Sequence, residues 1–367
     1  MDDAESRLEA IIAECEDLTL PHVFELAREA VQLAESLHDD EYRSTAHFLL
    51  LCVATTQGRM REAVVELAWV LQHLDGPFID EVRDELFQVA SHLVGCISAM
   101  HWLPRAQIVE VEDRILRHLR DHGVGDKSLF RLRCMNSYRL GAMDEGEVLW
   151  RRYIDAEPSG LWARSERDPV SSALWEVGRG WLCMDTDGIL EISPHLPRAP
   201  RGAAAREAAF SAWTMSSIAA VLGGRRELAM ECCTRGLRYF RGLPLYTGII
   251  GEIIATLAAL GRLRQALGLV ERHVSWTQRH GDGEDLFCFH AGAAIAFAIA
   301  AKSGRLVRLR LPRDFALFEA SGRYDAGRLS AWFLEQTRAI TDAFSRRDGN
   351  DYWHRRLDWH LQLVEVS

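Results

Sequence analysis

Two histidines, His118 and His122, have a spacing that could serve a metal ion. Four residues apart on a helix, they would share one face and lie close enough to bind the same zinc. The other ligands of a four-coordinate site are not apparent in the sequence, and histidine beside Gly123 also suits the negative end of a helix dipole. We therefore expect this pair to close a helix, and we predict no metal and no cofactor.

Motifs for phosphate binding or covalent catalysis are missing from the sequence. It contains no Gly-x-x-x-x-Gly-Lys-Ser/Thr loop that could cradle a phosphate, and no Gly-x-Gly-x-x-Gly after a strand. It also lacks the Gly-x-Ser-x-Gly of a serine nucleophile and the His-Glu-x-x-His of a zinc protease. No catalytic residue is therefore predicted, and a non-enzymatic role is favoured over an enzyme.

A dense run of aromatic and charged residues, Trp353 to His360, lies near the C-terminus. Trp353 and Trp359 could anchor a partner, because Trp and Arg dominate binding hot spots. The alternative is a helix that covers the last apolar face of a repeat array, with Asp351 and Arg355 paired at helical spacing on its surface. We favour the covering helix.

The charge and the cysteine content of the sequence limit which classes of partner and which cellular compartment are expected. The chain has 43 basic and 53 acidic residues, and this net charge of −10 argues against general affinity for the phosphates of nucleic acid or anionic lipid. The first residues, Met1 to Glu5, show no secretory pattern, and the longest apolar stretch, Ala291 to Ala301, is too short to span a bilayer. None of the eight cysteines forms a Cys-x-x-Cys pair. These features predict a cytoplasmic protein without membrane or direct nucleic-acid contact.

The elements that carry these residues are predicted to be helices. From Val23 to Leu37 apolar residues recur at i, i+3, i+4 and i+7, which is typical of an amphipathic helix. A second helix runs from Asp40 to Gln57, Gly58 interrupts it, and a third follows with Ala63 on its packing face. The same pattern predicts further pairs: Ile79–Met100 with Pro104–His122, Lys127–Leu140 with Met143–Ala156, Pro169–Cys183 with a short partner, Ala203–Leu222 with Glu227–Phe240, and Leu245–Leu260 with Leu263–Arg279.

A small residue recurs about every 41 positions, five places after each interruption between two helices. These positions are Ala63, Ala106, Gly146, Gly188, Ala229 and Ala266. A fixed period of about 20 to 50 residues indicates a stacked repeat, in which each unit packs only on its neighbours. A small side chain would let the two helices of a hairpin approach closely, so these positions are predicted to be structural.

The segments Gly58–Ala63, Gly224–Ala229 and Gly261–Ala266 share a Gly-x-x-x-x-Ala pattern at the start of a second helix. In this the chain resembles the tetratricopeptide-repeat family over roughly residues 20–350, and in particular its irregular actinobacterial members. Two features differ from that family: the longer period and the missing Pro at the end of each unit. The resemblance implies an all-α, right-handed α-solenoid.

The same interpretation divides the chain into three parts. Residues 1–200 and 201–303 would form N-terminal and C-terminal helical repeats, separated near the Pro-rich stretch Ser193–Gly202, and residues 304–367 would form capping helices. Only Leu306–Leu311 alternates apolar and charged residues in the manner of a strand.

For function, the resemblance implies a concave face, lined by the first helix of each pair, that binds a peptide or a partner protein. The polar residues expected on that face are His47, His92, Arg133, Asn136, Glu176, Arg179, Ser216, Glu252 and Thr256. Asn136 corresponds to the Asn that peptide-binding members use on the ligand backbone. A scaffold or adaptor is therefore expected, with self-association left open. The alternative is an enzyme or small-molecule sensor with a concave pocket lined by Arg and aromatic side chains.

Overall fold

Helices carry almost all of the described chain, and the all-α class predicted from the sequence is confirmed. The computed structural model describes residues 3–15, 17–20, 22–73, 89, 93–95, 97–197, 203–239, 242–279, 283–304 and 306–367. The predicted helix Ile79–Met100 lies largely outside these residues, and the predicted site residue His92 lies wholly outside them.

Ten helices are described in the N-terminal half of the chain. They are α1 (Asp3–Glu14), α2 (Val23–Leu37), α3 (Asp40–Thr56), α4 (Met60–His73), α5 (Arg105–Asp121), α6 (Asp126–Arg139), α7 (Met143–Asp155), α8 (Ala163–Glu166), α9 (Pro169–Cys183) and α10 (Thr186–Ile192). The bounds of α6, α7 and α9 agree with the predicted pairs to within about one residue, because each end carries a local stop or cap signal.

The C-terminal half continues in the same way and adds two short strands. Its elements are α11 (Ala203–Leu222), α12 (Arg226–Tyr239), α13 (Thr247–Ala259), α14 (Leu263–His273), α15 (Trp276–Arg279), α16 (Gly283–Ser303), β1 (Leu306–Arg308), β2 (Arg323–Asp325), α17 (Ala326–Asp348) and α18 (Tyr352–Glu365). The strands pair antiparallel, with Val307 opposite Tyr324, so β1 forms inside the segment whose alternation predicted a strand.

One predicted helix is interrupted. The sequence predicts a single helix over Leu263–Arg279, but the structure ends α14 at His273 and starts α15 at Trp276. The carbonyl of Val274 accepts hydrogen bonds from the amide of Thr277 at 3.2 Å and from its hydroxyl at 2.7 Å. A Thr side chain that bonds nearby backbone in this way competes with the helical pattern.

The turns inside the hairpins share one backbone arrangement. Glycines with left-handed φ angles of 71°, 71°, 72° and 78° stand at Gly58, Gly141, Gly224 and Gly261. After each glycine, the next amide returns to a carbonyl five residues earlier, as in Arg262 N to Leu257 O at 2.8 Å. This is the glycine-terminated helix end, in which the missing Cβ removes the cost of positive φ. The interruptions in the sequence therefore encode tight turns between paired helices.

Most of the recurring small residues are buried where two helices of a hairpin meet. Fully buried alanines are Ala63, Ala229 and Ala266. At Gly146, an added Cβ would lie 2.5 Å from Cε1 of Tyr138, so no larger residue fits between α6 and α7. Ala106 is an exception, since it is exposed and the neighbouring Ile108 turns inward instead. The packing role predicted for Ala106 is therefore wrong.

The helices pack in chain order. The first helices of successive hairpins contact one another in the series α6, α9, α11, α13 and α16, and each also packs on its own second helix. The closest approach joins α13 and α16, where an added Cβ on Gly292 would lie 2.0 Å from the carbonyl oxygen of Gly251. Helices of successive hairpins thus pack against one another, whereas α18 departs from chain order and packs on α11 and α13.

Helix α16 is the one described helix long and apolar enough to cross a membrane by length and composition. It is longer than the Ala291–Ala301 stretch on which the sequence expectation was based. Within the protein, 67% of its most apolar window is buried, and it packs against α13, α17 and α18. That burial is what a core helix of a globular protein shows.

Candidate functional site

Asn136, the predicted ligand-binding asparagine, is fully buried between helices. Its amide nitrogen donates to Oε1 of Glu112 at 3.1 Å, and its amide oxygen accepts from the hydroxyl of Ser98 at 2.8 Å. Both ends of the amide are therefore engaged inside the protein. Burial raises the pKa of Glu112 to about 7, although the charge of Arg133 and the Asn136 hydrogen bond oppose the change.

Glu252 is buried against the C-terminal helix α18. Its two carboxylate oxygens lie 3.0 and 3.1 Å from Nε2 of His360, whose Nδ1 lies 2.7 Å from the carbonyl oxygen of Arg356. Because a carbonyl only accepts, Nδ1 of His360 donates to Arg356. The imidazole ring therefore connects α18 with Glu252 on α13.

Arg356 anchors the centre of α18 and is itself fully buried. Its guanidinium lies 3.1 Å from Glu284 through Nη2 and stacks 5.2 Å from the ring centroids of both Trp181 and Trp353. Burial alone would raise the pKa of Glu284, but Arg356 and Arg139 together hold it below its ordinary value.

The two tryptophans of the C-terminal run are buried rather than available to a partner. Trp353 has no exposed surface and stacks on Phe344 with ring centroids 4.0 Å apart, and Trp359 is 7% exposed. Neither side chain is therefore exposed as an anchor for a partner. Helix α18 contacts α16, α13 and α11, so it lies against the first helices of the last three hairpins.

His47 lies apart from these residues, between α3 and α4. Its Nδ1 is 2.6 Å from Glu66, its Nε2 is 3.3 Å from Glu35, and its ring stacks on Trp69 at 3.6 Å. Arg43 also pairs with Glu35, at 3.1 Å. The predicted residue is thus enclosed by side chains of α2, α3 and α4.

Four other predicted residues are dispersed along the array. Arg179 pairs with Glu147 at 2.5 Å and lies 3.3 Å from the hydroxyl of Tyr138. The hydroxyl of buried Thr256 is 3.0 Å from that of Ser217. The remaining two differ in exposure: Ser216 is fully buried, with no hydrogen-bond partner for its hydroxyl among the described residues, and Glu176 is half-buried.

Arg133 is the predicted residue that borders an open groove. The groove lies between α5, α6 and α7, has a volume of about 850 Å³, and is lined by residues of all three helices. Its floor is apolar, formed by Leu116, Leu129 and Leu149, whose side chains are 2 to 7% exposed. Val148 on its wall is 51% exposed. An apolar floor open to solvent is a feature of binding sites.

Opposite charges line the two ends of this groove, which we call the α5–α7 groove. Asp144 and Glu145 line the end where α7 begins, and there Arg133 pairs with Asp113 at 3.1 Å. Arginines line the other end at Arg117, Arg120 and Arg152. On both walls the acidic side chains come before the basic ones along the helix. Asp113 precedes Arg117 and Arg120 on α5, and Asp144 and Glu145 precede Arg152 on α7.

His118 and His122 take the helix-end positions expected from their spacing. Their ring centroids lie 4.2 Å apart, and Nδ1 of His122 is 2.9 Å from the carbonyl oxygen of His118. Within the described residues, no group of three or more His, Cys, Asp or Glu side chains could hold a metal ion.

The arginines of the groove were not predicted from the sequence, because the binding face was expected on first helices alone. Arg117 and Arg152 belong to the second helices α5 and α7. The available signal was the acid-to-base order, Asp113 to Arg117 and Asp144 to Arg152, at helical spacing.

The fold and the groove define an all-α protein of packed helical hairpins with a charged, partly apolar cleft. No family model matches the chain, no curated protein matches it, and no solved structure matches it.

Proposed function

We propose that this chain is a right-handed α-solenoid of tetratricopeptide-like repeats that binds a segment of another protein. The repeat architecture is supported by the glycine turns and by first helices that pack on one another in chain order. In such an array the first helices line the concave face. Because α18 packs on the first helices α11, α13 and α16, the proposed binding site is the α5–α7 groove.

One observation carries this proposal: the α5–α7 groove combines an open volume of about 850 Å³ with an apolar floor and charged ends. About half of the surface of Val148 is exposed beside that floor. Contact of apolar surface with water costs free energy, and a partner that buries Val148 would remove this cost. A cytoplasmic, bacterial setting is part of the proposal, and the described cysteines, which are all free, agree with a reducing compartment.

Panning of a random peptide display library tests this function. We expect the wild-type protein to enrich peptides that Val148→Glu fails to enrich, because the substitution places a charge over the apolar floor. Val65→Glu is the matched control, since Val65 is 64% exposed on the second helix α4 and lies outside the groove. Equal enrichment by both variants, or none by the wild type, would contradict the proposal.

The second candidate is a small-molecule sensor. A volume of about 850 Å³ falls within the range of small-ligand sites. A ligand that binds the folded state raises the melting temperature by mass action. A metabolite-sized compound that raises the melting temperature of the wild type and not of Val148→Glu would favour this candidate over peptide binding.

A further inference from the structure

Two arginines in the α5–α7 groove have no acidic partner in the part of the chain that the structure describes. Arg117 on α5 and Arg152 on α7 both line the groove, and neither lies within ion-pair distance of a carboxylate among the described residues. The neighbouring Arg120 differs, because it pairs with Asp126 at 3.3 Å. These two arginines lie on facing walls of one groove and make one end of it basic, although the chain has a net charge of −10.

Both arginines are held in place by contacts that leave their charge uncompensated. Nε of Arg117 donates to the backbone carbonyl of Asp113 at 3.2 Å, and the guanidinium of Arg152 lies 6.0 Å from the ring centroid of Phe130. Guanidinium groups oriented in this way lose little entropy when their remaining N–H groups pair with a carboxylate. Both arginines are exposed, so their remaining N–H groups are accessible to a carboxylate of a ligand.

The acidic end of the groove limits which anions fit. Asp144 and Glu145 are exposed there, and Arg133 is already neutralised by Asp113. A uniform polyanion such as nucleic acid would bring phosphates against these carboxylates, and juxtaposed like charges oppose binding. A ligand that matches the whole groove carries negative charge at one end only.

We propose that the α5–α7 groove recognises a segment of a partner protein that carries acidic residues at one end, apolar residues in the middle and basic residues at the other end. The carboxylates pair with Arg117 and Arg152, the apolar side chains cover the floor beside Val148, and the basic residues face Asp144. This inference rests on the proposed function and adds the chemical character of the bound segment.

Fluorescence anisotropy with defined peptides tests the inference. The probe is a fluorescein-labelled peptide of sequence Asp-Glu-Asp-Leu-Ser-Leu-Ser-Arg-Lys-Arg. One comparison peptide replaces its acidic residues with Asn and Gln, and a second replaces its basic residues with Asp and Glu. We expect saturable binding of the probe, and at least about tenfold weaker binding of each comparison peptide, since about 1.4 kcal/mol corresponds to tenfold in affinity.

Matched arginine variants locate the interaction. Arg117→Gln and Arg152→Gln should each weaken probe binding by about tenfold or more, because each removes a charge-assisted hydrogen bond. Arg114→Gln and Arg151→Gln are the controls, since these exposed arginines lie on the same two helices and do not line the groove. The controls should stay within about twofold of the wild type, because they remove the same charge outside the groove.

Three results would overturn the inference. They are equal losses in the controls and the groove variants, tighter binding of the all-acidic peptide or of a single-stranded oligonucleotide, and no saturable binding of the probe at millimolar concentration. If panning yields peptides without acidic residues that still depend on Val148, the peptide-binding function stands and this inference alone fails. If no peptide depends on Val148, both fail.

Discussion

The buried carboxyl of Glu112 gives the sharpest stability test of this structure. It lies between α5 and α6, is 4% exposed, and its nearest partner is the neutral amide of Asn136. Burial raises its pKa from 4.5 to about 7. We expect Glu112→Gln, which keeps an acceptor oxygen for Asn136 without a charge, to stabilise the protein at alkaline pH.

The sign and the size follow from proton linkage. Between pH 4.5 and 7 the folded protein keeps a proton on Glu112 that the unfolded chain has lost, so stability decreases as pH rises through this window. The difference between 4.5 and about 7, at about 1.4 kcal/mol for each pKa unit, amounts to about 3 kcal/mol. The variant should therefore gain about 2 to 3 kcal/mol over the wild type at pH 8 and nothing at pH 4.5.

Urea unfolding followed by circular dichroism at a series of pH values measures this difference. Subtracting the wild-type curve from the variant curve removes the contributions of all other titrating groups. Glu110→Gln is the matched control, because Glu110 is exposed on the same helix, and its pH dependence should follow the wild type. A Glu112→Gln difference that stays constant with pH, or a loss of stability at pH 8, would refute the assignment of the buried carboxyl.

Three further predictions concern the core. Burial lowers the pKa of His290 from 6.5 to about 4, so its contribution to stability is complete above pH 6.5 and is lost as pH falls toward 4. Between pH 7 and pH 5 this loss amounts to about 2 kcal/mol, and His290→Gln should remove it in urea titrations at these two pH values. Arg356→Met should lower the free energy of unfolding by about 3 kcal/mol or more in the same assay, because Glu284 then keeps only its ion pair with Arg139. An unchanged urea midpoint would contradict the buried ion pair. Gly251→Ala should lower the melting temperature, since an added Cβ would lie 2.3 Å from the Cys288 carbonyl oxygen. Gly268→Ala, where an added Cβ would have no atom within 4 Å, should instead raise the melting temperature, because it increases the free energy of unfolding by about 0.5 to 1 kcal/mol.

Helix ends and turns were predictable from local sequence because their signals are local. Gly58, Gly141, Gly224 and Gly261 are glycines because the chain there needs positive φ, and this requirement is visible in a single residue. The prediction for Ala106 was wrong because a repeat period alone does not say which side of a helix faces its partner.

The surroundings of the predicted site residues were not predictable, because they depend on contacts between distant parts of the chain. Glu252 meets His360 across 108 positions, and periodicity gives no sign that α18 returns over earlier helices. Periodicity places Asn136 on a first helix, but its burial follows from Ser98 and Glu112 on either side. The α5–α7 groove requires three helices from two hairpins, so no single helix pattern reveals it.

The central claim is that the α5–α7 groove binds a partner segment, and hydrogen–deuterium exchange in the presence of the acidic–apolar–basic probe peptide tests it most directly. We predict slower exchange in residues 113–120 of α5 and 144–152 of α7, with α17 and α18 unchanged. Protection confined to α17 and α18, or no protection at saturating peptide, would contradict the claim.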